Sequence, residues 1–553
     1  MESSKPACHR SFLLLRNLFY VGITYALTAS IIHLFQNGYI HDRLHPPSDL
    51  IAKPTPTPTL GVISRLRPES LVIPQDDFLG KRPHADTYAN FTRLIEVCRG
   101  SLTGLEKMRN VYDCLKYLAG RESEYYFIPT TNVPSKLSKD YPEIDKAQKP
   151  NNSSIGPCPG PIIPYHTYWT GPATWRVEFF IKGYLHTQNL ACSRLYLWLD
   201  TDAHPFAVPD MMRDPIFAKF LLLVERGDII LKEWKFPSRI PLPKSPENVE
   251  PRYIDATPDP VTGVTVIGDG VIREADGSEW VVLTPRQLTF LPVAVSDAVR
   301  FIVLHLWGGL YCDMDVLMLR DMRPILLPPE HAFAERWAVH THPGDYNTAV
   351  MSLSANSSLS SYLLRGGVRM GINFHPRIIG RMAWKDGRNE EFAMFETGLF
   401  DPIWGEFNWG REGRCSIPCL RDYNAAFMGE VGYVKNSGEW ESWDREQLKE
   451  ILPREKREFV LRGLPRLEER EKYDISLDLY PPNNRTMANF FRGAYTYHIH
   501  NQWKKHPQPN SWLDVVMKAH DGFLAKKRKN PYGEMWEGFE VGRYERFMEF
   551  ENF

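Results

Sequence analysis

Arg300-Phe-Ile-Val-Leu-His-Leu-Trp-Gly-Gly-Leu-Tyr-Cys-Asp-Met-Asp-Val-Leu-Met-Leu319 reads as a helix, a glycine break and a strand carrying two alternate carboxylates. Ser296 is the expected N-cap of the helix. Val299, Ile302, Val303 and Leu306 form its apolar stripe, and Asp297, Arg300 and Leu304 lie together on another face. Gly308 and Gly309 stop it, because glycine suits the left-handed C-cap and lets backbone approach a ligand closely. Side chains alternate along a strand, so Asp313 and Asp315 are expected to point one way and Cys312, Met314 and Val316 the other. Two hard oxygen ligands on one side suit Mn2+ or Mg2+, completed by phosphate oxygens, better than a soft Cys/His cage would.

The block resembles the DXD signature of the sugar-nucleotide glycosyltransferases of family 32 and their alpha-1,4-galactosyltransferase and mannosyltransferase relatives. Their pattern runs S-D-x-x-R-x-x-x-L-x-x-x-G-G-x-Y-x-D-x-D, matched here by Ser296, Asp297, Arg300, Leu304, Gly308, Gly309, Tyr311, Asp313 and Asp315. A bare D-x-D has little weight, whereas these matches at fixed spacing are specific. The resemblance extends to Tyr165-His-Thr-Tyr-Trp169, Asp345-Tyr-Asn-Thr-Ala349 and Tyr497-His-Ile-His-Asn-Gln-Trp503, so it spans most of residues 160 to 515, with flanks of fungal style. It implies an α/β fold of the GT-A type, Rossmann-like with a mostly parallel sheet. It also implies transfer of a hexose from a nucleoside diphosphate sugar donor to a glycan or glycolipid acceptor, with retention and with Mn2+ (or Mg2+) as cofactor.

Carried over by motif position, Asp313 and Asp315 contact the donor ribose and the cation that bridges the diphosphate. Asp297 and Arg300 hold the donor sugar, and Arg300 joins the Asp pair as a catalytic candidate. Gly308, Gly309 and Tyr311 frame the donor site, Asn347 lies near the sugar cleft, and His166 belongs to the segment that meets the base. His498, and after it His500, supply further metal ligands. Each has a plainer reading: a helix-spaced salt bridge for Asp297 and Arg300, an Asx turn for Asn347, packing roles for the histidines.

Asp200-Thr-Asp202 also ends an apolar strand but lacks the helix and glycines, and reads as a strand-to-loop cap. Two rivals to transfer remain: a sugar-nucleotide- or glycan-binding pseudoenzyme, and a haloacid-dehalogenase-like phosphatase, for which Asp313-Met-Asp-Val would supply the nucleophile. The phosphatase needs a later acidic pair, and the adjacent Asp76-Asp77 lies upstream.

The 553 residues are 43% hydrophobic and 24% charged, a globular balance for one large or two ordinary domains. Lys+Arg 66 against Asp+Glu 67 leaves no basic field, which argues against a nucleic-acid partner. Leu18 to Phe35 is apolar and preceded by Lys5, Arg10 and Arg16, the pattern of a type II signal anchor, with a cleaved secretory signal as the alternative. The expected organisation is a cytosolic tail (1–17), a transmembrane anchor (18–36), a Pro/Thr-rich stem without a fold (37–85) and a catalytic region (86–553) in the Golgi or endoplasmic reticulum lumen.

Asn90, Asn151, Asn152, Asn356 and Asn484 begin glycosylation sequons. Seven cysteines follow the anchor, so at least one stays unpaired; Cys312, on the inward side of the Asp strand, is the expected free thiol. Cys98 with Cys114 and Cys415 with Cys419 are candidate bridges. The periodicity predicts helix over 86–130, strands near 162–169, 194–199, 229–234 and 280–283, a helix over 174–186, and a Pro/Gly/Asp-rich insertion over 238–279. Alternating strands and helices place the ligand at the strand C-terminal ends.

Overall fold

The computed structural model describes residues 65–66, 81–100, 114, 117–118, 125–127, 158, 161–288, 295–328, 332–337, 343–401, 494–500, 506–507 and 512–544. The chain divides into two units, Met1–Gly61 and Val62–Phe553, and every described residue belongs to the second. The expected tail, the anchor and the Cys415/Cys419 pair lie outside the described residues. No helix among the described residues is long and apolar enough to cross a membrane.

The strands, in chain order, are β1 (Arg65–Leu66), β2 (Thr87–Ala89), β3 (Tyr125–Phe127), β4 (Ile163–Trp169), β5 (Ser193–Asp200), β6 (Ile229–Trp234), β7 (Arg239–Leu242), β8 (Thr265–Gly268), β9 (Val271–Arg273), β10 (Glu279–Val282), β11 (Gly309–Cys312), β12 (Val316–Met318), β13 (Phe333–Arg336), β14 (Tyr346–Leu353), β15 (Ala393–Phe395) and β16 (Thr496–His498). The helices that matter here are α1 (Phe91–Val97), α2 (Trp175–Thr187), α3 (Val295–Trp307), α4 (Ser358–Arg369), α5 (Pro376–Lys385) and α6 (Trp512–Leu524).

Seven strands form the central sheet in the order β15-β13-β14-β11-β4-β5-β6. β11, β4, β5 and β6 are parallel, β13 and β15 are parallel, and β14 runs against both of its neighbours. The mixed α/β architecture with a mostly parallel sheet is therefore as expected. Along β11 successive side chains enter opposite cores. Leu310 and Cys312 pack with Leu195, Leu197 and Val350 on one side, and Tyr311 packs with Tyr196, Trp198 and Met351 on the other. Both faces are covered, which is why these strands read as continuous apolar runs instead of alternating.

α2 begins where Thr174 accepts a hydrogen bond from the Arg176 amide, and all of its residues are buried. Two of its charged side chains are matched inside: Lys182 pairs with Glu178 and with Asp521 of α6, both at 2.8 Å. α3 lies on the opposite face and is buried through most of its circumference, because α4 and the insertion close over it. His305 records both contacts, with Nδ1 2.9 Å from the Ser360 hydroxyl and Nε2 2.7 Å from the Pro241 carbonyl.

The insertion at 238–279 has its own structure, to which the strand expected near 280–283 belongs: β7, β10, β9 and β8 form a separate four-stranded antiparallel sheet. Within the expected stem (37–85), residues 65–66 and 81–85 are among those described. Arg65–Leu66 pairs with Tyr125–Tyr126, and Arg82 reaches Asp321 at 2.7 Å, Glu534 at 2.8 Å and the Thr187 carbonyl at 2.7 Å. The 86–130 segment is only partly helical, and it caps the sheet edge: the Gly100 amide bonds the Met394 carbonyl and the Glu396 amide bonds the Cys98 carbonyl, beside β15. Covering an edge strand in this way satisfies backbone groups that would otherwise template pairing with another chain.

The Cys98–Cys114 bridge forms as expected, and Cys312 is free and buried. Cys158–Cys192, which ties the approach to β4 to the start of β5, was not foreseen. Of the sequon asparagines, Asn356 is exposed, whereas Asn90 caps α1 by accepting from the Arg93 amide.

Gly308 and Gly309 end α3 with φ of +66° and +87°. A Cβ on Gly309 would lie 2.2 Å from the Pro164 carbonyl oxygen, so only glycine lets β11 lie this close to β4. Gly309→Ala is expected to destabilise the fold by roughly 3 kcal/mol or more, read from denaturant midpoints; a loss under about 0.5 kcal/mol would refute the close approach.

Burial holds His166 and His186 down to about 3 and His305 down to about 4. These groups are neutral in the fold, but the unfolded chain protonates them below about 6.5, so stability is lost as pH falls through that value toward 4. Urea unfolding at pH 7 and pH 5 should show this loss, and His186→Phe should flatten the slope; an unchanged slope would contradict the assignment.

Candidate active site

A cleft of about 460 Å³ opens at the C-terminal ends of β4 and β11. β11 stops at Cys312, and residues 313–315 form a turn closed by the Val316 amide on the Asp313 carbonyl at 3.1 Å. The expected strand alternation is thus absent, and the facing is as anticipated only in part: Cys312 and Val316 enter the core, Asp313 and Asp315 line the cleft, and Met314 packs in the core while also lining the cleft. The Asp313 amide donates to the Ala349 carbonyl of β14 at 2.8 Å, which anchors the turn to the sheet.

β12 then pairs with β16, placing Val316 opposite His498, and the Ile499 amide donates to the Asp315 carbonyl at 2.8 Å. This pairing brings a segment almost two hundred residues distant in sequence to the Asp turn. His498 Nε2 lies 3.2 Å from Asp315 Oδ1. Asp313, Asp315 and His498 each offer a ligand atom within 4.8 Å of the others. Two carboxylates and an imidazole are an acceptable donor set for Mn2+ and, with less nitrogen preference, Mg2+.

Arg300 is buried and held by three side chains. Its Nη2 lies 3.2 Å from Asp297 and 3.1 Å from Asp313, and its Nη1 donates to the Thr348 hydroxyl at 2.7 Å. The i,i+3 pair on the helix is therefore present, and both of its side chains line the cleft. Burial pushes the Asp313 carboxyl up to about 6; Arg300 opposes that rise and the Asp315 charge adds to it. Burial also acts to raise Asp315, but His498, His500 and Arg176 together hold it below the usual carboxylate range. Two guanidiniums, Arg300 and Arg176, thus face three carboxylates, which leaves negative charge in a partly desolvated site.

The two histidines do not act as an alternating strand pair. β16 ends at His498, and His500 takes a left-handed φ of +58°. Their rings still stack, with centroids 3.7 Å apart. His500 lines the cleft, but its partner is the fully buried Asp401, so it joins His498 and Asp401 in a second possible metal group instead of the Asp pair. The group containing Asp313 is the one open to the cleft: the Asp313 side chain is 25% exposed and that of Asp401 1%.

Asn347 also lines the cleft. Its Oδ1 accepts from the Ala349 amide at 3.0 Å, the expected Asx-type bond, and its Nδ2 donates to Glu335. Glu335 is buried without exposure, and its carboxyl is held well above the usual range by burial and by nearby Asp401. With both ends of the amide assigned, Asn347 keeps one N–H of Nδ2 uncommitted by these bonds.

Of the sequence-derived candidates, Asp297, Arg300, Tyr311, Asp313, Asp315, Asn347, His498 and His500 line the cleft. Ser296 is not the N-cap that was expected: α3 begins at Val295, so Ser296 is its second residue, and it is also on the wall. Gly308, Gly309 and His166 are not among the lining residues. His166 is 1% exposed, with Nε2 3.0 Å from the Gly308 carbonyl and Nδ1 accepting from the Trp198 indole, so it braces the glycine turn from behind. From the same strand it is Tyr168 and Trp169 that reach the cleft. Asp200 and Asp202 are caps, as read: Asp200 Oδ1 accepts from the amides of Asp202 and Ala203, and Asp202 from that of Phe236. Trp337 and His375 on the far wall were missed, since a single aromatic or histidine outside a motif carries no local signal.

Residues 265–333 match the model of the glycosyltransferase sugar-binding region containing the DXD motif. The match runs from β8 into β13 and contains α3, both glycines and the Asp turn. No curated protein matches the chain. Among solved structures, the PaToxG glycosyltransferase is 12% identical, with 50% of this chain and 81% of that chain covered and a TM-score of 0.25. The glycosyltransferase GlyE of Streptococcus pneumoniae TIGR4 is 11% identical, with coverage of 43% and 46% and a TM-score of 0.23. Likeness that distant carries no argument, and the assignment stands on the matched region and the cleft it helps to build. Residues 265–333 are thus similar to a DXD glycosyltransferase sugar-binding region, and Asp313 and Asp315 within them line the cleft.

Proposed function

We propose that this chain is a metal-dependent hexosyltransferase, moving a hexose from a nucleoside diphosphate sugar to a glycan or glycolipid acceptor. The observation that carries this reading is the meeting of Asp313, Asp315 and His498 at an open cleft, inside and beside a segment that matches the DXD region. Asp313, Asp315 and His498 would hold the cation, for which Mn2+ is the first choice and Mg2+ the second. When bound, the cation supplies positive charge against the leaving diphosphate.

The chain's own groups then have distinct tasks. Arg300 holds Asp313 and Asp297 together and oriented, since its Nη2 binds both. Asp297 and Arg300 together present a charged edge to the donor. Asn347 offers an amide N–H to a hydroxyl or phosphate oxygen, in an orientation set by Glu335. Tyr168 and Trp169 form the aromatic wall beside the Asp turn, suited to a nucleobase or ribose. Retention of configuration follows from the family resemblance. The apolar run at 18–36 and the sequons favour a type II protein of the Golgi or endoplasmic reticulum membrane with its catalytic region in the lumen.

The phosphatase alternative loses ground at this site, because that chemistry needs a lysine and none lines the cleft among the described residues. The pseudoenzyme differs only in turnover, so release of hexose from a sugar nucleotide separates it from a transferase.

Asp315→Asn is the decisive variant. In the parent protein a nucleoside diphosphate with Mn2+ should raise the unfolding temperature in proportion to the logarithm of its saturation. Asp315→Asn should abolish the Mn2+-dependent part and lower hexose transfer or donor hydrolysis roughly 100-fold or more. An unchanged Mn2+-dependent shift would place the cation elsewhere.

A further inference from the structure

We propose that Trp337 and His375 form a platform for a pyranose ring on the wall of the cleft opposite Tyr168 and Trp169, an assignment that deepens the transferase reading and rests on it. The sheet order dictates the layout. β4 ends in Trp169 on one side of the Asp turn, and β13 leads into Trp337 on the other, with β14 lying between β11 and β13. Two strand spacings of roughly 4.8 Å separate β11 from β13, so Trp337 stands about 10 Å from the line of the Asp turn. That is beyond the reach of a cation held by Asp313 and Asp315. It matches the position of a sugar ring attached to, or about to accept from, a diphosphate anchored there.

The indole is half-buried and stacked on the His375 imidazole, with centroids 5.5 Å apart and planes 20° from parallel. Both rings line the cleft, whereas Arg377, whose guanidinium packs 5.2 Å from the indole centroid, is not part of the lining. An aromatic surface facing a polar cleft is suited to the C–H face of a hexose, while neighbouring N–H groups such as that of Asn347 meet its hydroxyls.

The platform is preorganised by groups that serve no other purpose in the cleft. The Trp337 amide donates to the Asp345 carbonyl at 2.7 Å. The buried Asp345 carboxylate is gripped by Arg381 of α5, the helix that His375 caps. His375 Nδ1 accepts from the Arg377 amide at 3.3 Å, which fixes its ring at the helix start. Gly380 comes so close to the Gly344 carbonyl that a Cβ would lie 2.2 Å from it, so α5 and the Asp345 turn move as one piece. A rigid support of this kind lowers the ordering cost of binding a sugar.

The ring has two possible sources, the donor's hexose and the acceptor, and the test separates them. Saturation-transfer NMR with methyl glucoside, galactoside and mannoside probes the acceptor arm. Titration calorimetry comparing nucleoside diphosphates with their hexose conjugates, in Mn2+, probes the donor arm. Trp337→Ala should weaken one arm about tenfold, Trp337→Phe should restore most of it, and both variants should keep the nucleoside diphosphate shift, which also reports that they fold. Loss confined to the glycosides assigns an acceptor subsite, and loss confined to the hexose increment assigns a donor subsite. Equal affinities in Trp337→Ala and parent for both arms would overturn the platform. No binding of any nucleoside diphosphate by the parent protein would instead overturn the transferase reading, with the glycoside arm still judging Trp337.

Discussion

Three carboxylates, Asp297, Asp313 and Asp315, are held at one end of the sheet with Arg300 bridging two of them and His498 closing on the third. Burial makes this arrangement costly, as the rise of Asp313 toward 6 records. Much of the surrounding architecture can be understood as the means by which that charge is kept concentrated. Left to relax, the acids would separate or turn to solvent. They are instead fixed by backbone bonds on both sides of the turn, from Asp313 to β14 and from Ile499 to Asp315. In the proposed function a divalent cation would offset this charge.

The fold supplies this site from widely separated parts of the chain. α3 brings Asp297 and Arg300, the glycine pair lets β11 approach β4, and β14 contributes Thr348 and Asn347. β16 delivers His498 by pairing with β12. Behind them a second row of acids, Glu335 and Asp401, orients Asn347 and His500. These two acids are fully buried, which pushes both carboxyls well above the usual range, and each holds its partner through a hydrogen bond.

What was legible in the sequence was local or strongly periodic. The α3 stripe, the glycine stop and the spacing of the Asp pair all lie within twenty residues, and β4, α2, β5 and β6 appear within a residue or two of their expected limits. The Asp turn shows how a sound conclusion can rest on an incomplete reason: the carboxylates share a side because a tight turn turns them together, not because a strand continues. His166 was chosen for its place in a motif, but it lies inside the sheet, and it is Tyr168 and Trp169 at the end of the same strand that reach the cleft. The insertion sheet was hidden because its strands are short and rich in turn residues. Trp337, His375, Glu335 and Asp401 became functional candidates only through sheet order and long-range packing, which no local pattern encodes.

The central claim is that one divalent cation is held by Asp313, Asp315 and His498. Crystals grown with Mn2+ and a nucleoside diphosphate, with anomalous diffraction recorded at the manganese edge, test it directly. A single strong anomalous peak within coordination distance of both carboxylates, roughly 2.0–2.3 Å, with diphosphate oxygens completing the shell, is the predicted result. A peak at Asp401 and His500 alone, or no peak while the diphosphate is bound in the cleft, would contradict the account.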